Sequence, residues 1–145
     1  MKYAAVAIVA LIVVATSSVA DDKAITAERK RFDGTWQLVS AVKDGKETPE
    51  EIVKKVRVVI KDGKHTVHVG EEVAAKDVPF TVDPTTKPNS VDDLLPDGKK
   101  ILGIYEIDGD KLTSCVAEVG KDRPTKFEAK PGTGHTLRVF KRVKE

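Results

Sequence analysis

Only one cysteine, Cys115, occurs in the 145 residues, so no intrachain disulfide can brace the fold. The core alone must hold it. A lone thiol in an apolar stretch reads as a small buried hydrophobe, and no histidine or acidic residue is placed to activate it. Aromatic residues are also scarce, at 5% of the chain with a single tryptophan, Trp36, so valine, isoleucine and leucine must supply most of the packing. Neither sign of charge predominates: 25 Lys and Arg stand against 23 Asp and Glu. They are interspersed, as in Lys43-Asp44-Gly45-Lys46-Glu47, and give a mixed solvated surface. A nucleic-acid partner needs a basic excess on one face, so none is expected.

Catalytic and metal-binding patterns are missing as well. The chain has three histidines. His65 and His68 lie three apart, which on a strand turns them to opposite faces, and His135 belongs to a distant loop. Zinc needs three or four converging ligands, so no metal is expected. The adjacent pairs Glu71-Glu72 and Asp92-Asp93 diverge on a strand and do not face one reacting bond. Ser114 and Cys115 sit in no Gly-x-Ser-x-Gly elbow. Pro131-Gly132-Thr133-Gly134 opens no helix, so it is neither a P-loop nor a dinucleotide fingerprint. The expectation is a protein that is not an enzyme and carries no cofactor.

Long apolar runs are absent except for one, Ala4 to Ala15. Lys2 precedes it, and Ser18-Val19-Ala20 puts small residues before Asp21. Positive residue, apolar run and small residues together form an export signal, with cleavage expected after Ala20. The run falls short of the roughly 20 residues of a spanning helix, and no cysteine follows the cut to carry a lipid. Residues 1–20 are thus read as a signal peptide, leaving no stable membrane anchor and a periplasmic or extracellular protein. Removing twenty residues from 145 leaves 125, enough for one domain. Lys2 is the only charge removed, so 24 basic residues face 23 acidic ones, a net of +1.

What is present is a succession of short β-like segments. Asp21 to Arg31 is a polar lead-in with one or two helical turns that cap the end of the fold. Gly34 to Val42 alternates as a first strand, with Trp36, Leu38 and Ser40 on one face. Thr48-Pro49-Glu50-Glu51 has the form of a capping box, starting a short helix from Pro49 to Lys55. Val56 to Lys61 and Lys64 to Val69 form a hairpin about Asp62-Gly63. Further strands are expected at Val78 to Val82, Ser90 to Leu95, Ile101 to Ile107, Lys111 to Val119, Thr125 to Ala129 and Thr136 to Val143. Pro79 marks an edge, a strand start or a bulge. Evenly spaced short strands without crossover helices indicate an antiparallel sandwich or barrel. Phe32, Phe80, Tyr105, Phe127 and Phe140 are expected in its core.

Gly34-Thr35-Trp36 after a polar lead-in resembles the Gly-x-Trp motif on the first strand of lipocalins and their barrel relatives. From about Phe32 to Arg142 the chain resembles a family of small exported lipocalin-like domains without an assigned function, abundant in planctomycete-type bacteria. The likeness runs in order through GTWQLVSAVKDGKE, PEEIVKKVRVVI, DPTTKP, ILGIYEIDGD, KLTSCVA, RPTKFEAKPGTG and a final Lys141-Arg142. It implies a mainly β fold: an eight- or nine-stranded antiparallel lipocalin-like barrel over residues 32–145, with one short helix between the first two strands. It also implies that Trp36 plugs the closed end beside Gly34, under the basic side chain of Arg142 or, in the alternative register, of Arg138. That is a structural role. The expected function is binding of a small apolar ligand in the barrel of a monomer, with the Tyr105 hydroxyl orienting a polar head. The alternative is a cell-envelope structural or protein-interaction module with a packed barrel and no ligand. An eight-stranded interior suits either, because it is just wide enough to be filled or to hold one small molecule.

Overall fold

Two-residue turns set the spacing of the first strands. Asp62 and Gly63 have φ of 51° and 76°, and Asp44 and Gly45 have 50° and 80°. Left-handed backbone at both central residues is what a type I′ hairpin requires, because its twist matches that of the flanking strands. Gly45 also has no room for a side chain, since a Cβ there would run into the Pro131 ring. The computed structural model describes residues 17–144, with side chains from residue 22 onward. Residues 1–16 of the expected signal peptide lie outside the described residues.

The elements are α1 (Ser17–Lys30), β1 (Gly34–Lys43), β2 (Lys46–Glu47), α2 (Glu50–Val53), β3 (Val56–Lys61), β4 (Lys64–Val69), β5 (Glu72–Asp83), β6 (Asn89–Leu94), β7 (Lys100–Asp108), β8 (Lys111–Val116) and β9 (Thr136–Arg142). All strand pairs are antiparallel between sequence neighbours from β3 to β9, and β1 pairs with both β3 and β9. The sheet therefore closes on itself as an eight-stranded up-and-down barrel, with the two-residue β2 as an extra strand against the end of β1. Closure removes the exposed edges that an open sheet would present. Among the described residues no helix is long and apolar enough to cross a membrane.

The mainly β barrel expected above is therefore what the chain forms, with four local corrections. First, α1 is a 14-residue helix, longer than the one or two turns expected. Second, the β1–β9 register shifts between Leu38 and Ser40. Beyond that bulge Ala41 turns inward and is buried, while Ser40 is exposed. Third, the capping box does not form. Pro49 occupies the N-cap of a four-residue helix without a side-chain cap bond. The Thr48 amide instead donates to Ala41 O at 2.8 Å, which holds Thr48 in the sheet. Fourth, Thr125 to Ala129 is not a strand. Both edges of β8 are already taken by β7 and β9, so the closed barrel offers no ladder for it.

Residues 117–135 cover the outer face of β7 and β8 instead. Ile104, Cys115, Ala117, Pro124 and Ala129 are buried between the two layers. The Cys115 thiol donates to Glu128 O at 3.3 Å. Arg123 anchors the segment by donating to Gly103 O at 2.7 Å and pairing with Asp92 at 2.6 Å.

The main core fills the end of the barrel beneath α1. Trp36 is 0% exposed and its indole N–H donates to Phe32 O at 2.8 Å. Phe32 meets Tyr105 edge-on at 4.8 Å between centroids and Phe80 at 5.4 Å. Leu38, Val58, Ile60, Val82, Leu112 and Phe140 complete this half. Each aromatic ring takes about 150–250 Å² out of water, on the order of 4–6 kcal/mol before entropy is counted. Helix α1 seals the end: Ile25 packs on the core and Arg31 donates to Ile107 O at 3.0 Å.

Candidate functional site in the open half of the barrel

Strand alternation decides which side chains line the interior. On β9, Phe140 is buried in the core and Lys141 is exposed, so Thr136, Arg138, Phe140 and Arg142 share the inner face. Cross-strand register carries that face around the barrel. Arg138 lies opposite Ala41 on one side and Ser114 on the other. Ser114 in turn faces Tyr105, whose strand also turns Gly103 and Ile101 inward. On β6, Val91 and Asp93 oppose the inward Val82 and Phe80. On β4, His65 and Val67 oppose the inward Ile60 and Val58.

These inner positions divide into two sets. Beneath α1, Trp36, Phe32 and Tyr105 are sealed, whereas Ile107 and Arg142 are partly exposed. Toward the other end, Ile101, Ser114, Val116 and Arg138, with His65 and Asp93, are partly exposed although they face inward; Val56, Val67 and Val91 are also partly exposed but pack against the main core, and Ala41, Gly103 and Thr136 are buried. The inner side chains are thus buried most deeply beneath α1 and less deeply toward the other end. Gly103 is buried, and Val116 and Val91 fill the space beside it: a Cβ there would lie 2.7 Å from Val116 Cγ1 and 3.3 Å from Val91 Cγ1. The β5–β6 ladder runs only from Phe80 to Asp83. Residues 72–79 of β5 extend past the end of β6 at Leu94 and have no ladder partner on that side, and Asp93 is paired with Phe80 at the last rung.

Among these inward side chains are three that can carry charge, His65, Asp93 and Arg138. His65 Nε2 sits 3.2 Å from Asp93 Oδ1, with side chains 17% and 25% exposed. The His65 ring packs 6.0 Å from Phe80, and its Nδ1 is sealed without a hydrogen-bond partner among the described residues. Arg138 is different. No described residue accepts a hydrogen bond or forms an ion pair with it within reach, and its nitrogens are not among the fully enclosed atoms. Burial pulls its pKa down, opposed chiefly by the charge of Asp93.

Trp36 and the two arginines expected near it separate clearly. The Arg142 guanidinium lies 4.2 Å from the Trp36 ring centroid. It donates to Asp33 O at 2.6 Å and Arg31 O at 2.9 Å, with Asp110 at 3.3 Å. Gly34 keeps this corner open, because a Cβ there would sit 2.8 Å from Arg142 Nη1. Arg138, four residues back on the same face of the strand, takes no part in it. Tyr105 also stands in the closed half, 1% exposed, with its hydroxyl donating to Glu28 Oε1 at 2.9 Å. Burial and then that carboxylate push the phenol pKa well above its usual value. Its hydroxyl is committed to α1, and the groups that can carry charge toward the other end are Arg138, Asp93 and His65.

The remaining candidates do not converge. His68 pairs with Val73 on the outside of the β4–β5 ladder, away from His65. Asp92 turns out to Arg123 while Asp93 turns in to His65. No group of three histidine, cysteine, aspartate or glutamate side chains among the described residues is placed to hold a metal. Two shallow grooves lie on the outer surface. One of about 420 Å³ is lined by Gln37, Asp110 and residues 141–144, and one of about 460 Å³ lies beside Asp44, Glu118 and His135. The trio was hidden from the sequence because its members lie on β4, β6 and β9, and only closure brings them together. The one available signal was polarity at inward-phased positions.

Fold and site together define a closed, lipocalin-like antiparallel barrel whose deepest core lies beneath α1. No family model, curated protein or solved structure matches the chain.

Proposed function

We propose that this protein is an exported lipocalin-like binding protein that takes one small, largely apolar molecule into the recessed half of its barrel. The observation that carries this reading is the set of inward-facing side chains that stay open to solvent: apolar Val67, Val91 and Val116 around an unpartnered Arg138. A barrel built only for stability gains nothing from an unpaired guanidinium inside it, because burying a charge without a partner is costly. Concave, mostly apolar sites with a few convergent polar groups are where small molecules bind. The end of the barrel away from α1 is where such a molecule would enter.

The same reading includes the family likeness carried by Gly34-Thr35-Trp36, export as a monomer without a membrane anchor, and a role other than catalysis. Cleavage after Ala20 is compatible with the closed end, because Ile25, Glu28 and Arg31, which seal it, all follow the cut. Native mass spectrometry of the protein isolated from its own host provides the test. Under gentle ionisation we expect a co-purifying small molecule, on a chain beginning at Asp21. A bare chain, together with inner valine resonances that no apolar probe moves, would sink the reading. The filled closed half and the two outer grooves favour the second reading, an envelope module that works through its surface. Capture of a specific envelope partner by a protein with an unresponsive interior would decide for it.

A further inference from the structure

Arg138 is the one charged side chain of the trio without a hydrogen-bond or ion-pair partner among the described residues. Asp93 directs Oδ1 to His65 and forms no ion pair with Arg138, and the neighbours of Arg138 across both ladders, Ala41 and Ser114, are too short to cover its fork. The next inward residue toward the open end, Thr136, is buried and short as well. Its four-residue neighbour Arg142 shows what this chain does with a structural arginine: two carbonyls, a carboxylate and an indole surround it. Nothing comparable surrounds Arg138. A guanidinium presents parallel N–H donors that match a carboxylate in two bonds at once, and such bonds strengthen away from bulk water.

The charge count narrows the class further. Arg138 brings one positive charge and the inward Asp93 one negative, so the pair is neutral by itself. A head with a single negative charge leaves a net of −1 there and a doubly charged phosphate leaves −2, so the singly charged head meets less repulsion from Asp93. Around the head the wall is Val67, Val91, Val116 and Ile101, which suits a hydrocarbon body. We propose that Arg138 is the anion subsite of the recess, holding the carboxylate of a small monocarboxylic acid whose apolar body lies against the inner valines. This rests on the lumen-binding reading above and adds the ligand's head group to it.

The experiment titrates the purified chain with decanoate, decan-1-ol and decyl phosphate, followed by calorimetry and by the methyl resonances of the inner valines. The titrations are repeated for Arg138→Gln and Arg138→Lys. Decanoate is expected to bind about tenfold or more tightly than decanol, the difference one charge-assisted pair makes. Arg138→Gln should bring decanoate down to the level of decanol and leave decanol unchanged. Arg138→Lys should keep part of the preference, having the charge without the fork. Equal affinities for decanoate and decanol, a preference that survives Arg138→Gln, or tighter binding of the phosphate would each overturn the carboxylate subsite while leaving lumen binding in place. If no member of the series from hexanoate and hexanol to dodecanoate and dodecanol binds, both the subsite and the lumen reading fall. Folding of both variants is checked by the native fluorescence of Trp36, whose partners do not include Arg138.

Discussion

Two arginines on one strand face, four residues apart, should respond in opposite ways to the same substitution. Arg142→Met removes two charge-assisted bonds to carbonyls, at 2.6 Å and 2.9 Å, and the contact over Trp36 at 4.2 Å. Taking about 1.5 kcal/mol for each bond, the low end because water can replace a partner near the surface, gives roughly 3 kcal/mol. The cation–π contact adds about 0.5–1 kcal/mol. The half-exposed pairing with Asp110 adds next to nothing. Methionine keeps the apolar stem over the indole and returns some of this loss. The expected net cost is about 2–4 kcal/mol, which for a domain of this size is a fall in Tm on the order of 10 °C. Arg138→Met removes an unpaired guanidinium from an apolar wall and should be neutral or stabilising by about 1 kcal/mol. Trp36 is the only tryptophan and is fully buried, so urea unfolding followed by its fluorescence measures both variants. Far-UV circular dichroism provides the check, because Arg142→Met also alters the native indole signal. The reasoning is refuted if Arg142→Met costs less than about 0.5 kcal/mol, or if Arg138→Met costs as much as Arg142→Met.

Three other outcomes follow from the same packing. Tyr105 has its pKa raised by burial and by Glu28, so it stabilises the fold while protonated; that contribution is intact below the unfolded value of roughly 10 and is lost as pH rises beyond it. Tyr105→Phe should therefore cost about 1 kcal/mol at neutral pH through the lost bond to Glu28, and a difference-unfolding series should show a weaker alkaline transition than the native protein; an unchanged transition would count against the assignment. Cys115 is 0% exposed, and burial holds its thiol above the usual pKa. Labelling by a thiol reagent should be slow and limited by opening of residues 117–135, so Arg123→Ala, which frees that segment, should speed it several-fold. Gly103→Ala places a Cβ 2.7 Å from Val116 Cγ1 and 3.0 Å from Cys115 O, and is expected to cost about 1–3 kcal/mol in urea unfolding and to weaken any apolar probe in the recess.

Much of the wall was legible in advance. The Val56 to Val69 hairpin was expected residue for residue, because alternating β-branched side chains and a two-residue Asp-Gly turn are local signals that need no distant partner. The misjudged elements share the opposite property. Ser40 was placed inward by strict alternation, but a bulge against β9 shifts the phase so that Ala41 takes that place. Thr48 was read as a cap, but its amide is held by Ala41 O in the sheet. Thr125 to Ala129 has strand-like composition, yet no strand edge remained for it to join. In each case a partner remote in sequence outweighed a preference of the local segment.

The candidate site shows the same division more sharply. Sequence alone determined that the chain must fold on an aliphatic core without disulfides and that its strands are short and antiparallel; the resemblance of Gly34-Thr35-Trp36 to the lipocalin motif implied that a C-terminal arginine lies over Trp36. It left open which arginine, since Arg138 and Arg142 have the same phase on the same strand. Only the closed barrel separates them: shear and the position of α1 put Arg142 where the Arg31 and Asp33 carbonyls and the indole converge, and leave Arg138 in the half that no helix fills. Alternation assigns a side chain to the inside of a sheet, but what it meets there depends on where the sheet closes and on what covers each end.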